Sequence, residues 1–200
     1  MNNNNGRKIP SNYENPIDNV IIANCDKLVN TCKRLLITPN MITIFRTFLS
    51  FITLYYLFNT CNTSIPITGT AIFYFLDCLD GHLARSTNQV TVLGDYLDHY
   101  ADMFFYFMFI IYIFIKKYNN KNLIIISTLS LTLMSMIHLG LQQKHYKILN
   151  EDEKHEELLD NINHFHNLKL EDIKWTRYFG LGTTYTFILF VIYYIKKNIC

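Results

Sequence analysis

The sequence predicts an all-α fold: a polytopic transmembrane helical bundle of five to six spans, preceded by an amphipathic surface helix. Five apolar stretches fall at 41–59, 64–83, 96–115, 122–142 and 178–195, each close to the ~20 residues that a helix needs to cross a bilayer. Half of the 200 residues are hydrophobic, yet the mean hydropathy is only +0.10, because polar ends and a polar loop dilute the apolar spans. Asp77, Asp80, Asp98 and Asp102 lie where these stretches meet. Carboxylates at that depth are tolerated in a bundle interior, not in lipid.

The elements follow in order. Residues 1–16, MNNNNGRKIPSNYENP, have no apolar core. They read as a disordered tail rather than a secretory signal peptide, and 17–200 as a single membrane domain. Over 17–36, Ile17, Val20, Ile21, Leu28, Cys32, Leu35 and Leu36 share one helical side, with Asp18, Asp26, Lys27, Lys33 and Arg34 largely off it; this is the pattern of a helix lying on a membrane surface. The first span carries Arg46, which is costly there unless it pairs with a substrate phosphate or a site carboxylate, or snorkels. His138 in the fourth span reads as an interhelical hydrogen-bonding residue. Only one convincing span follows residue 143, and it lies beyond the polar segment 144–176. That segment holds half of all the acids, and Leu158, Leu159, Ile162, Phe165 and Leu168 recur in it at helical spacing. It reads as a surface helix with an acidic outer side. His155, His164 and His166 match no strong metal-binding spacing.

Composition excludes several classes. A net charge of +2 gives no footprint for nucleic acid. Five cysteines (Cys25, Cys32, Cys61, Cys78, Cys200) are odd in number and form no CxxC pair, which suggests neither a disulfide framework nor zinc. If the N-terminus and the acid cluster share a side of the membrane, that side holds twelve Lys and Arg against five on the other. The bias places the N-terminus and the site in the cytoplasm.

The acids carry the chemistry. Asp77 and Asp80 are three residues apart, Asp98 and Asp102 four, so each pair lies on one helical face. Two such faces turned together make an oxygen cage. Arg85 is the only basic residue between Asp77 and Asp102, so divalent metal is the simplest compensation, and metal held by carboxylates points to phosphate chemistry. Gly81, Ala84 and Gly94 flank the pairs, and small residues let a helix or a phosphate approach the backbone. Asp95 shares the face of Asp98 and Asp102 but reads as a helix-start charge. His82 and His99, beside motif residues, read as supporting or surface groups.

Asp77-x2-Asp80-Gly81-x2-Ala84-Arg85-x8-Gly94-x3-Asp98-x3-Asp102 resembles, at every fixed position, the signature of the class-I CDP-alcohol phosphatidyltransferases. Pro39-Asn40-Met41-Ile42-Thr43 is similar to the stretch that opens that family's first span. The resemblance implies six spans and a surface helix, so the sixth span is missing, degenerate or hidden in 144–176. It implies two Mg²⁺ or Mn²⁺ ions held by Asp77, Asp80, Asp98 and Asp102, and Asp102 as the base that takes the proton of the attacking hydroxyl. The residues alone do not separate Asp102 from Asp98 in that role. By the same resemblance, Asn40, Thr43, Gly81, Ala84, Arg85, Thr91 and Gly94 contact the CDP-linked substrate. The implied partners are a CDP-linked lipid or alcohol donor, a small alcohol or diacylglycerol acceptor, membrane lipids and a second copy of the chain as a homodimer.

The alcohol stays open. Asp80-Gly81-His82-x-Ala84-Arg85-x2-Asn88-Gln89-x-Thr91-x2-Gly94 resembles phosphatidylinositol synthases and in large part phosphatidylglycerophosphate synthases. Leu93-Gly94-x3-Asp98-His99 looks like the choline and ethanolamine phosphotransferases. Arg46 leans the reading towards CDP-diacylglycerol as donor. Two other classes compete: an aspartate-rich membrane prenyltransferase, which has no use for the Gly-x2-Ala-Arg continuation, and a catalytically inactive membrane scaffold, which would not keep the entire signature.

Overall fold

The computed structural model describes residues 6–149 and 169–200 (for Lys147 and Leu149, the backbone only). Among them there is no strand. The helices are α1 (Pro16–Arg34), α2 (Pro39–Asn59), α3 (Ser64–Thr87), α4 (Val92–Ile115), α5 (Lys121–Leu149), a single turn α6 (Ile173–Thr176) flanked by 3-10 turns, and α7 (Leu181–Ile199). The segments around α2, α4, α5 and α7 are long and apolar enough to cross a membrane. At 24 residues α3 is long enough, but its second half carries Asp77, Asp80, His82 and Arg85. The surface helix expected over 158–168 lies outside the described residues.

Local chemistry sets the helix ends that shape the site. The Thr38 hydroxyl accepts from the Met41 amide and Pro39 occupies the first turn of α2, a start that proline favours because its missing N–H is not needed there. Asn88 closes α3 in the left-handed region, φ 54°, which asparagine tolerates. Thr91 caps α4 by accepting from the Gly94 amide. The α2–α3 and α4 ends nearest the acids are thus fixed by short loops.

Helix α2 packs against both α3 and α4. Its close approach to α3 rests on Gly69, where a Cβ would come 2.2 Å from the Thr53 hydroxyl oxygen. Below this, Phe73, Phe105, Phe109 and Tyr112 form the core with Leu54, Leu57, Ile188 and Val191. Phe45, Phe48, Ile52, Met103 and Phe107 are exposed, an apolar exterior suited to lipid as solvent.

Three expectations are revised. The buried face of α1 is Asp18, Ile22, Cys25, Val29 and Cys32, whereas Val20, Leu35 and Leu36 of the expected apolar side are exposed. The helix uses one apolar strip against α3 and leaves a second outward. Asp18, expected off the apolar side, is drawn in because Tyr74 donates to it and the Gly182 amide reaches it at 3.4 Å. The cysteines do contain a pair, Cys61–Cys200, 139 residues apart in sequence. Cys61 follows α2 and Cys200 ends α7, and the two helix ends meet where Lys196 donates to the Tyr56 carbonyl at 3.0 Å and to that of Thr60. Lastly, residues 6–15 of the expected tail lie against the bundle, with Ile9, Glu14 and Asn15 buried.

Candidate active site

Arg46 projects from α2 into the space between α3 and α4 and is fully buried. All four acids meet it. Its Nη2 lies 3.1 Å from Asp77 and also pairs with Asp98; Nε donates to Asp80 at 3.2 Å and Nη1 to Asp102 at 2.6 Å. The guanidinium stands 4.8 Å from the centre of the Phe73 ring, which in turn stacks on Phe105 at 4.5 Å. A charge over an aromatic face is favoured, more so away from water. The compensating cation absent from the acidic window therefore comes from the preceding helix. One positive charge does not balance four carboxylates, and the site remains acidic.

Asp77, Asp98 and Asp102 each bring a carboxylate oxygen within 4.8 Å of the others. An all-oxygen set of that size fits a hard divalent cation. Asp80 joins through Arg46 and accepts from the Thr43 hydroxyl at 2.7 Å, so Thr43 orients an acid as well as facing the cavity.

That cavity, of about 350 Å³, is within the range of small-molecule sites. Asn40, Thr43, Gly81, Ala84, Arg85, Thr91 and Gly94 all line it, with Asp80 and Asp98 on its wall. Asp77 and Asp102 are not lining residues and connect to it through the Arg46 cluster. A Cβ at Gly94 would come 2.8 Å from Asn40 Oδ1 and 2.9 Å from Thr91 Oγ1; the glycine lets α4 start against α2. Because Thr38 caps α2, Asn40 is not needed as its cap, whereas Thr91 both caps α4 and faces the cavity.

The remaining polar candidates separate clearly. His82 is buried and bonded through Nε2 to Asp26 at 2.6 Å, tying α3 to α1. His138 contacts Thr176 and Gln142, both at 3.1 Å, joining α5 to α6. His99 Nδ1 lies 2.9 Å from the Asp95 carbonyl. Asp95 lines the cavity but does not enter the Arg46 cluster. Three polar lining residues escaped the sequence reading: Lys8, Gln143 and Tyr146. They stand outside the motif and reach the site only through tertiary packing.

An α-helical membrane bundle that gathers four acids beside a cavity has the layout of a membrane-embedded enzyme acting on phosphate compounds. The chain belongs to the CDP-alcohol phosphatidyltransferase family, whose model matches residues 36–155. It is a transferase of phospholipid synthesis that moves a phosphatidyl group from a CDP-alcohol. Comparison with curated proteins and with solved structures found no match.

Proposed function

We propose that the donor is CDP-diacylglycerol and the acceptor a small alcohol. Convergence supports this reading: the seven nucleotide-contact candidates line one cavity with Asp80 and Asp98, and Arg46 ties Asp77 and Asp102 to those two acids. Arg85 offers paired donors to the diphosphate, while Asn40, Thr43, Gly81, Ala84, Thr91 and Gly94 form the wall against which the nucleotide lies. The acceptor hydroxyl oxygen attacks the phosphorus that carries diacylglycerol. The phosphoanhydride bond to CMP breaks, CMP leaves with the bridging oxygen, and Asp102 takes the hydroxyl proton. Asp77, Asp80, Asp98 and Asp102 are the proposed ligands of two Mg²⁺ or Mn²⁺ ions, which when bound would offset the charge of the diphosphate and the leaving phosphate.

The site is proposed to open to the cytoplasm. The twelve-to-five distribution of Lys and Arg supports this, and so does the Cys61–Cys200 bond. That bond lies at the far end of α2, whose 21 residues separate it from the cavity by about 30 Å. Disulfides persist in oxidising compartments.

The test is CMP release by purified protein from each CDP-linked donor with a panel of alcohols. CMP release from CDP-diacylglycerol with a water-soluble alcohol is expected. Turnover of a CDP-aminoalcohol with diacylglycerol alone would select the choline and ethanolamine type instead, and no release with any pair would favour an inactive scaffold. Full turnover in excess EDTA would sink the two-metal reading.

A further inference from the structure

The motif leaves one part of the cavity wall unassigned. Residues 6–13 run along the bundle as a strap, held by Ile9, which is buried with Leu141 and Ile173, and by the Tyr13 ring 5.2 Å from that of His145. The strap reaches the site twice. Gly6 accepts from Arg85 Nε through its carbonyl at 2.7 Å, and Lys8 lines the cavity with its Nζ 6.0 Å from the Tyr146 ring centre.

Only glycine fits at the first contact. Gly6 has φ +73°, and a Cβ there would meet Ser86 Oγ at 2.1 Å and the His82 carbonyl at 2.7 Å. With Nε held by the strap, the Arg85 Nη1 and Nη2 lie along the glycine side of α3, 3.3 and 3.6 Å from where a Gly81 Cβ would stand. On the same wall Gln143 is 1% exposed and its Oε1 has no partner among the described residues. A buried, unpartnered acceptor is unfavourable unless a ligand satisfies it. The wall is built for a polar occupant.

Resting on the function proposed above, we infer that the strap is part of the substrate site, with the Gly6 carbonyl positioning the Arg85 guanidinium and Lys8 supplying a second cation for substrate phosphate. Charge supports it. Asp80, Asp95 and Asp98 line the cavity against Lys8 and Arg85, so a ligand bearing phosphate needs every cation the wall offers. The phosphate belongs either to the donor diphosphate or to a phosphorylated acceptor.

Kinetics on the full chain decide between them. In K8A, KM for the phosphate-bearing substrate should rise by about tenfold or more, the size expected for one hydrogen bond to a charged group, with kcat within about twofold of wild type. K8R should recover most of the loss. G6A should act in the same direction as K8A, through Arg85. A rise in KM for CDP-diacylglycerol assigns Lys8 to the donor; a rise only for glycerol 3-phosphate assigns it to the acceptor. Unchanged KM for both substrates in K8A overturns the inference while leaving the transferase reading intact. If the wild type releases no CMP from any donor, the transferase reading falls. Direct binding of CDP and of glycerol 3-phosphate to wild type and K8A then still tests the strap: weaker binding of either supports it, equal binding of both overturns it.

Discussion

Arg46 places one positive charge among four carboxylates, with its guanidinium against Phe73. Removing one partner from a buried ion cluster typically costs about 3–5 kcal/mol, because the charges left behind are uncompensated. Arg46→Ala should therefore melt well below wild type in EDTA. Added Mg²⁺ should raise its melting temperature more than that of wild type, because the vacated acids then depend on the added cation. A variant that melts with wild type in EDTA would show that the arginine is not what holds the acids together. The roles proposed for the acids divide them. Asp102→Asn should abolish CMP release while donor still binds, since an amide can neither take the proton nor ligate a hard cation well. Asp95 stands outside the Arg46 cluster, in the first turn of α4, where an acid is worth about 0.3–1 kcal/mol. Asp95→Asn should keep most of the activity. Measuring donor binding and CMP release on both variants checks the assignment, and a dead Asp95→Asn beside an active Asp102→Asn would reverse it.

Helix α1 shows an element held by polar contacts as well as by its apolar strip of Cys25, Val29 and Cys32. Asp18 accepts from Tyr74 of α3 and from the Gly182 amide at the start of α7, so a single carboxylate joins three helices. Burial pushes its pKa from 3.8 up to about 7, against the lowering effect of the Tyr74 bond. Glu14, buried beside Asn15 and bonded to Gln142 at 2.7 Å, is raised for the same reason. A raised carboxyl pKa means that the folded protein holds a proton the unfolded chain has already released. Stability from this group is full below about pH 4 and is lost as pH climbs towards 7, by at most about 1.4 kcal/mol per pH unit. Asp18→Asn should flatten that slope and leave the smaller part due to Glu14. Thermal melts between pH 4 and 7 check it: an identical slope in the variant would mean that Asp18 does not titrate in this range. The periodicity of α1 announced a helix, but not its orientation. Apolar residues flank it on two strips, and which strip faces α3 depends on Asp18 finding Tyr74, a contact across 56 residues.

Over the whole molecule, the helices and the site were legible where the information is local. Hydropathy marked the spans, and fixed spacing marked Asp77, Asp80, Asp98 and Asp102, because both patterns lie within single helices. Arg46 was visible as a misplaced charge, though only packing shows that it meets all four acids. Lys8, Gln143 and the Cys61–Cys200 pair carried no local signal, since each matters through a partner far away in sequence. The disulfide gives the molecule a polarity that labelling can read. It closes the end at which α2 and α7 finish, whereas Asn88 lies in the loop beside the cavity. If the cavity opens to the cytoplasm, Asn88→Cys should resist an impermeant maleimide on intact cells and react once the cytoplasmic face is exposed in inverted vesicles. Cys61 and Cys200 should behave in the opposite sense, reacting on intact cells only after reduction. Cys25 and Cys32 are buried and Cys78 is partly covered, so background labelling of the folded protein should be low. Labelling of Asn88→Cys on intact cells would invert the topology and place the mouth of the site on the face opposite a cytoplasmic CDP-linked donor.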